Sequence, residues 1–366
     1  MVNNMSELYY VYPQYKTLSF TLIAEKHIEY LSKHVKVHKI SEETLDSLMW
    51  LQKRNILLHP ILYVTIGDKI ELFPTRYKRL LNLLKVKYKL GGFETCDSDK
   101  ISELAVNILN KFDLIFVPSN FAKQVFKKCG VERKIEVLPH GVSNSFFEPS
   151  KPITNQNLLK LKEIKEKNKA ILVLYFLLHS GFRKGADLVY QAMENIQYSF
   201  PYIFLVVKRG SFSDSYLNQL KKLKMIEIAG WFNEEELKQL YDLCDILIVP
   251  SRGGGFELNA LEGMARGIPT IIPDNGCFKD YSQYAITYPA NKQVEVLPNN
   301  PIHIGMGFEP EPIDLATAII KVAGELDKYK EQAKLHVKEI KEKYSWDKIG
   351  EKLYNILLEN NFINKA

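Results

Sequence analysis

The chain has 366 residues, which suits two domains of about 150–200 residues each rather than one core. Hydrophobic residues make up 46% and charged residues 25%, which excludes a disordered chain, and a net charge of +6 spread along the sequence argues against nucleic acid and suits small anionic ligands. The apolar run Ile171–Leu178 is too short to span a bilayer, the N-terminus lacks a basic stretch followed by a long apolar one, and Cys96, Cys129, Cys244 and Cys277 form no metal or disulfide pattern, so a cytoplasmic protein is expected.

In chain order, strands are expected at Leu8–Val11, Val35–Lys39, Ile56–Leu58, Ile61–Thr65, Val86–Leu90, Leu114–Val117 and Ile135–Leu138. A helix is expected over Ile101–Phe112, where apolar residues recur at helical spacing, with Asp99 placed to cap it. The polar, lysine-rich stretch Ser150–Lys169, with Pro149 before it and Pro152 within it, marks a domain boundary. Strands resume at Ile171–Leu178, Ile203–Val207, Met225–Ile228, Ile246–Val249 and Thr270–Ile272. Between them fall helices at Leu188–Ile196, Asp214–Leu223, Glu234–Cys244 and Glu257–Arg266, the third opened by an Asn233/Glu236 capping box. Ala290–Pro312, with six prolines and glycines, reads as a loop or insertion, and helices at Ile313–Leu326 and Ser345–Leu358 close the chain.

Such alternation implies α/β architecture: two Rossmann-like doubly wound domains, 1–150 and 151–345, facing a central cleft, with a C-terminal helix in 346–366 returning to the first domain. In these sheets ligands bind beyond the C-terminal ends of the strands, and the distinctive segments fall there.

In Pro250–Pro269 a buried strand runs into Gly253, Gly254 and Gly255, then Phe256 and a helix. Glycines let backbone approach a ligand, and a helix N-terminus at Leu258 and Asn259 offers N–H groups to an anion. Glu262 lies about 40° from the core residue Leu258 at about 100° per residue, at the edge of a buried face. Ribose hydroxyls would serve it as donors; pairing with Arg266 four residues on is the alternative. In His179–Leu188, Ser180, Arg183 and Lys184 follow a strand, and the two cations could hold a diphosphate or stand in a solvated loop. His140 and Gly141 end the last strand of the first domain. Glu94 and Thr95 lie between a strand and a helix in the same domain. Trp231 follows a strand of the second domain, where it would meet a base or pack into the core. Pro74–Lys89 is basic and partly amphipathic, which fits a solvated helix face or contact with an anionic membrane or a phosphate-bearing acceptor.

Together FVPSNFAKQVFKKCGV, VLPHGV, RKGADL, GWFNEEELKQLYDLCDILIVPS, GGGFELNALEGMARGIPTIIPD and YSWDKI resemble, in order and spacing, the retaining glycosyltransferases of family four, over nearly the whole chain. The resemblance implies a GT-B fold and metal-independent, hexosyltransferase-like transfer from a UDP- or GDP-sugar to a glycan, lipid or protein-linked acceptor, with no cofactor beyond the donor. It implies a cytoplasmic enzyme of glycan biosynthesis, with peripheral contact at the inner face of the membrane as a further expectation. Arg183, Lys184 and Glu257 become the expected catalytic residues. His140, Gly141, Ser180, Trp231, Gly253–Gly255, Phe256, Leu258, Asn259 and Glu262 become the expected donor contacts, and Glu94 and Thr95 the acceptor side.

The chain departs from the family in its first domain, where the glycine-rich loop often found after the first strand is absent near Tyr12–Phe20 and the usual histidine has no clear counterpart, and at two places in its second. Gly254 stands where the family often has the first of two glutamates, and Glu257 follows Phe256 where a glycine is usual. His179 stands where an arginine is usual, with Arg183 as substitute. Asp97-Ser98-Asp99 imitates the metal-binding Asp-x-Asp of a different glycosyltransferase fold, and the double-sheet pattern argues against that. A sugar-nucleotide epimerase of the same fold, or a non-catalytic nucleotide-sugar-binding protein, remains an alternative.

Overall fold

The computed structural model describes residues 6–14, 19–42, 44, 55–62, 89–210 and 215–364. It separates into two compact units, Met1–Gly141 with Leu297–Gly305 and Trp346–Ala366, and Val142–Val296 with Met306–Ser345.

The first unit is built on six parallel strands: β1 (Glu7–Tyr12), β2 (Lys36–Ser41), β3 (Asn55–Leu58), β4 (Lys89–Phe93), β5 (Leu114–Val117) and β6 (Lys134–Val137), in the order β2-β1-β3-β4-β5-β6. Parallel strands need crossovers, and α1 (Ser19–Leu31), α2 (Glu103–Leu109) and α3 (Asn120–Lys128) are among them. Helix α2 is shorter than expected, and Ser102, not Asp99, caps it: the Ser102 hydroxyl accepts from Ala105 N at 3.2 Å. Asp99 instead lies against Gly305, where a Cβ would meet its carboxylate. Of the expected strand Ile61–Thr65, the described part, Ile61 and Leu62, is a bend after β3. Residues 63–65, and 74–88 of the basic stretch, lie outside the described residues.

The second unit carries β7 (Ile171–Leu177), β8 (Ile203–Arg209), β9 (Met225–Ile228), β10 (Ile246–Ile248), β11 (Thr270–Pro273) and β12 (Ile286–Tyr288). All pair in parallel, in the order β12-β11-β10-β7-β8-β9. Read from the other edge, this is the dinucleotide-fold order, whose direction reverses between β7 and β10. Its helices include α4 (Gln156–Asn168), α5 (Ala186–Ser199), α6 (Ser215–Leu220), α7 (Glu234–Leu243) and α8 (Leu258–Ala265). The expected capping box at Asn233 and Glu236 opens α7, with both reciprocal bonds made. Helix α4 occupies most of the polar stretch read as marking a domain boundary, and Leu158 and Leu161 bury one edge of it.

The segment Ala290–Pro312 is not simply a loop. It contains an antiparallel hairpin, β13 (Lys292–Glu295) and β14 (Met306–Glu309). Between these strands, residues 297–305 belong to the first unit, where Ser102 N donates to Ile302 O at 2.9 Å and Ile302 is buried. Helix α9 (Pro312–Gly324) follows, then α10 (Leu326–Tyr344), a 19-residue helix where none was expected. Few of its residues are buried, notably Ala333, Ile340 and Tyr344, too sparse a stripe to read as periodic. Helix α11 (Trp346–Glu359) joins the first unit: Ile349, Leu353 and Leu357 share a core with Leu8, Tyr10 and Leu31.

The boundary between the units also falls earlier than expected, after Gly141 rather than Ser150. The Ser143 and Ser145 hydroxyls donate to Glu234 at 2.5 and 3.1 Å, and the Phe146 ring stands 6.1 Å from that of Tyr241, so 142–150 is fastened to α7.

Candidate active site

The two loops at the reversal point of the second sheet are the segments that the sequence singles out. One leaves β7 through Ser180–Gly185 into α5, and the other leaves β10 through Ser251–Glu257 into α8. They touch over most of their length. Gly185 takes φ +74°, and a Cβ there would stand 2.3 Å from Pro250 O, so only glycine permits the approach. Arg252 N donates to Arg183 O at 2.8 Å, and the buried Arg183 guanidinium returns a bond from Nη1 to Gly253 O at 2.9 Å. Lys184 Nζ pairs with Glu257 at 2.5 Å.

Gly254 completes this corner. A Cβ at 254 would lie 2.6 Å from Glu257 Oε1 and 3.8 Å from Arg183 Nη1. The Glu257 carboxylate therefore occupies the space that a side chain at 254 would need. Glu257 is the N-cap of α8 without a side-chain cap bond, so its carboxylate is committed to Lys184 rather than to the helix. Leu258 and Asn259 open that helix, where backbone N–H groups face outward and the helix dipole favours an anion. The corner thus holds two cations, one carboxylate and a helix N-terminus, an arrangement suited to a diphosphate.

Glu262 is half-buried one turn further along α8. It does not pair with Arg266, which binds Asp242 at 2.9 and 2.8 Å. Its partner is the Tyr241 hydroxyl, which donates to Oε2 at 2.8 Å. Burial pushes the Glu262 carboxyl up to about 7; the Tyr241 bond opposes that rise and Glu234 adds to it.

Other expected residues lie elsewhere. Trp231 is 62% exposed, so the core-packing alternative is excluded. Its segment is fastened by the buried Lys208 at the end of β8, which donates to Gly230 O and lies 4.3 Å from the centre of the Phe232 ring. Gly141 is explained by packing, since a Cβ there would stand 2.7 Å from the Trp346 ring. His140 lines a small pocket in the first unit, with Glu94 and Thr95. There Glu94 accepts from Leu62 N at 2.5 Å and from Thr95 N at 2.9 Å.

Sequence reasoning misses Arg252. It is fully buried, forks onto Asp187 at 2.7 and 2.8 Å, reaches Glu309 at 2.8 Å, donates to Phe182 O at 2.6 Å and stacks on the Phe182 ring. It also missed His27 and His59 in the first unit's pocket, which approach His140 only through the fold.

The fold is GT-B: two Rossmann-like α/β units, with Arg183, Lys184 and the N-terminus of α8 gathered at the switch point of the second. Residues 171–295 match the model of glycosyl transferases group 1, and they hold both loops of that corner. An uncharacterized protein of Sulfolobus islandicus rod-shaped virus 1 is 25% identical over 96% of this chain and 98% of its own. A putative glycosyltransferase of Sulfolobus islandicus filamentous virus is 25% identical over 72% of this chain and 73% of its own. Among solved structures, the Anabaena protein HepE in complex with UDP-glucose superposes with a TM-score of 0.70 at 13% identity, over 96% of this chain and 99% of that one. Among the described residues no helix is long and apolar enough to cross a membrane.

Proposed function

We propose that this protein is a retaining, metal-independent glycosyltransferase that takes a sugar from a UDP- or GDP-sugar bound at the switch-point corner of the second unit. The observation that carries this is the convergence of Arg183, Lys184, Gly253–Gly255 and the N-terminus of α8 on one small volume. In transfer, the acceptor oxygen bonds the anomeric carbon as that carbon's bond to the diphosphate breaks. The diphosphate leaves with the electron pair and takes the acceptor proton. Negative charge grows where Arg183 and Lys184 stand, so these groups bind the transition state better than the ground state. Two cations and a helix N-terminus supply the neutralisation that other folds draw from a metal. Glu257 orients the sugar and Lys184 together, and Glu262 holds the ribose. The UDP-glucose bound by the HepE structure favours UDP as the first donor to try.

The experiment is a thermal-shift screen with UDP- and GDP-sugars, followed by measurement of nucleoside diphosphate released from those that bind. A donor at about 100 times its Kd raises stability by about 2.7 kcal/mol, a shift easily read. Release of nucleoside diphosphate is the expected result. A donor that binds and is returned with an inverted sugar carbon would make the protein an epimerase. Binding with no turnover at any acceptor would make it a binding protein.

Glu262 gives the site a pH dependence. Burial holds its carboxyl up at about 7 in the free protein, and ribose hydroxyls donate more strongly to its ionised form, which can accept at both oxygens. Donor binding therefore expels a proton wherever Glu262 is protonated beforehand. Affinity is expected to be flat above about pH 8 and to fall as pH drops through 7, approaching about tenfold per unit. Titration calorimetry in two buffers of different ionisation heat reads the released proton directly. Glu262→Gln should abolish that release; a variant that still releases it removes Glu262 from the ribose site.

A further inference from the structure

The turn after β11 reaches the corner of the second unit from a third side. Gly276–Asp280 form a short 3-10 turn whose Cys277 is buried, and Tyr281 follows it with no exposed surface. The Tyr281 ring meets that of Phe256 at 5.3 Å and that of Phe278 at 6.1 Å, both edge-on. Phe256 immediately precedes Glu257, so Tyr281 packs against the turn that delivers the Glu257 carboxylate to Lys184.

The Tyr281 hydroxyl is buried and, among the described residues, makes no hydrogen bond of ordinary geometry. Its polar neighbours are the Cys277 thiol, the Glu257 carboxylate and the Glu257 N–H. Burial foremost, then Cys277 and Glu257, pushes this hydroxyl well above its ordinary value, so it keeps its proton at physiological pH. The N–H can only lend to the hydroxyl oxygen, and a thiol is a weak acceptor, so the hydroxyl proton is unspent in the free protein. A buried donor left unspent is destabilising and calls for a state in which it is used.

A diphosphate at the corner creates that state. In the free protein Glu257 holds Lys184 at 2.5 Å, with its own side chain only 5% exposed. An anion that takes Lys184 strands a buried carboxylate. Arg183 is no substitute partner, since its Nη1 serves Gly253 O and its charge faces the same diphosphate. A hydroxyl can take the carboxylate without withdrawing a cation from the phosphates.

We propose that Tyr281 is a positioning residue that receives the Glu257 carboxylate when a diphosphate takes Lys184. The Tyr281 hydroxyl then donates to Glu257, and the Lys184 ammonium turns to the phosphate oxygens. Only hydrogen bonds are exchanged, and no proton changes owner. This rests on the proposed binding of a diphosphate at the corner, but not on transfer of a sugar.

The test is a double-variant cycle on the full chain, with affinities for inorganic pyrophosphate, UDP and GDP read by titration calorimetry. Tyr281→Phe keeps the packed ring and should weaken these anions by about tenfold, the loss of one hydrogen bond to a charged group. In the Glu257→Gln background the same change should weaken them by less than about twofold, because no charged carboxylate is left to receive. A Tyr281 that only packs the turn, or holds the Glu257 backbone, gives the same loss in both backgrounds. Coupling seen with pyrophosphate, without release of nucleoside diphosphate from any donor, would remove the transferase reading and leave the role of Tyr281 standing. Turnover of a donor with an additive cycle would do the reverse. Equal losses in both backgrounds, unchanged affinity in Tyr281→Phe, or no binding of pyrophosphate, UDP or GDP by the parent would each overturn the proposal.

Discussion

Lys184→Ala is expected to slow release of nucleoside diphosphate by about 10²–10³-fold, the cost of removing one group aimed at charge that develops in the transition state. The same change also removes the partner of Glu257, whose side chain is only 5% exposed, so a loss of stability will accompany it. The two effects separate in the double variant. Adding Glu257→Gln to Lys184→Ala neutralises the stranded carboxylate, and the melting temperature should recover. Turnover should not, because the leaving diphosphate still lacks its cation. If turnover returned with stability, Lys184 would be a structural partner and no more.

Glu257→Gln alone sharpens the same point. In the free protein Lys184 is occupied by Glu257, so a diphosphate has to share it. Without the carboxylate, free UDP or GDP should bind several-fold tighter, while turnover of the intact donor falls because the sugar has lost its orienting group. Opposite movement of product affinity and turnover is the signature of a residue that faces the sugar rather than the phosphates. Parallel losses would assign Glu257 to the fold.

The two loops were legible in the sequence because their signals are local. An apolar strand, glycines and a helix face follow one another within about 20 residues at both Ile171–Leu188 and Ile246–Arg266. Even the displaced carboxylate at Glu257 can be read there, but not its collision with a side chain at 254, which depends on how the turn closes. Glu262 shows where locality fails. Spacing offers Arg266 four residues away, yet the fold supplies Tyr241 from 21 residues upstream. The Tyr10 hydroxyl bridges His27 and His59, 17 and 49 residues away, so no window of the sequence contains that bridge. Helix α10 was missed for a different reason: it is mostly solvated, and periodicity registers only what is buried.

Arg252 carries the last expectation and the largest effect on stability. It touches the loop after β7 through Phe182, the first turn of α5 through Asp187 and the hairpin through Glu309, from the start of the glycine loop. Its backbone adds two bonds, donating to Arg183 O and accepting from Phe308 N at 2.7 Å. One guanidinium therefore ties together three segments that approach only in the folded unit. Arg252→Met keeps the stack on Phe182 but leaves Asp187 and Glu309 facing each other without a cation. Breaking a buried pair costs about 3–5 kcal/mol, and these carboxylates are 21% and 31% exposed, so the lower end applies. For a unit of this size that lowers the melting temperature by about 6–12 °C. Turnover should fall with it, since the loops that carry Arg183 and Gly253 lose the guanidinium that ties them to Asp187 and Phe182. The triple variant Arg252→Met, Asp187→Asn, Glu309→Gln separates scaffold from positioning. It removes all three charges, and an uncharged core of similar volume often matches a buried ion network in stability. Its melting temperature should return towards that of the parent. Turnover should stay low, because a guanidinium forked onto Asp187 fixes the loop's direction in a way that apolar contact does not. Recovery of both would reduce Arg252 to packing; recovery of stability alone would make it the residue that aims Arg183 and the glycine loop at the diphosphate.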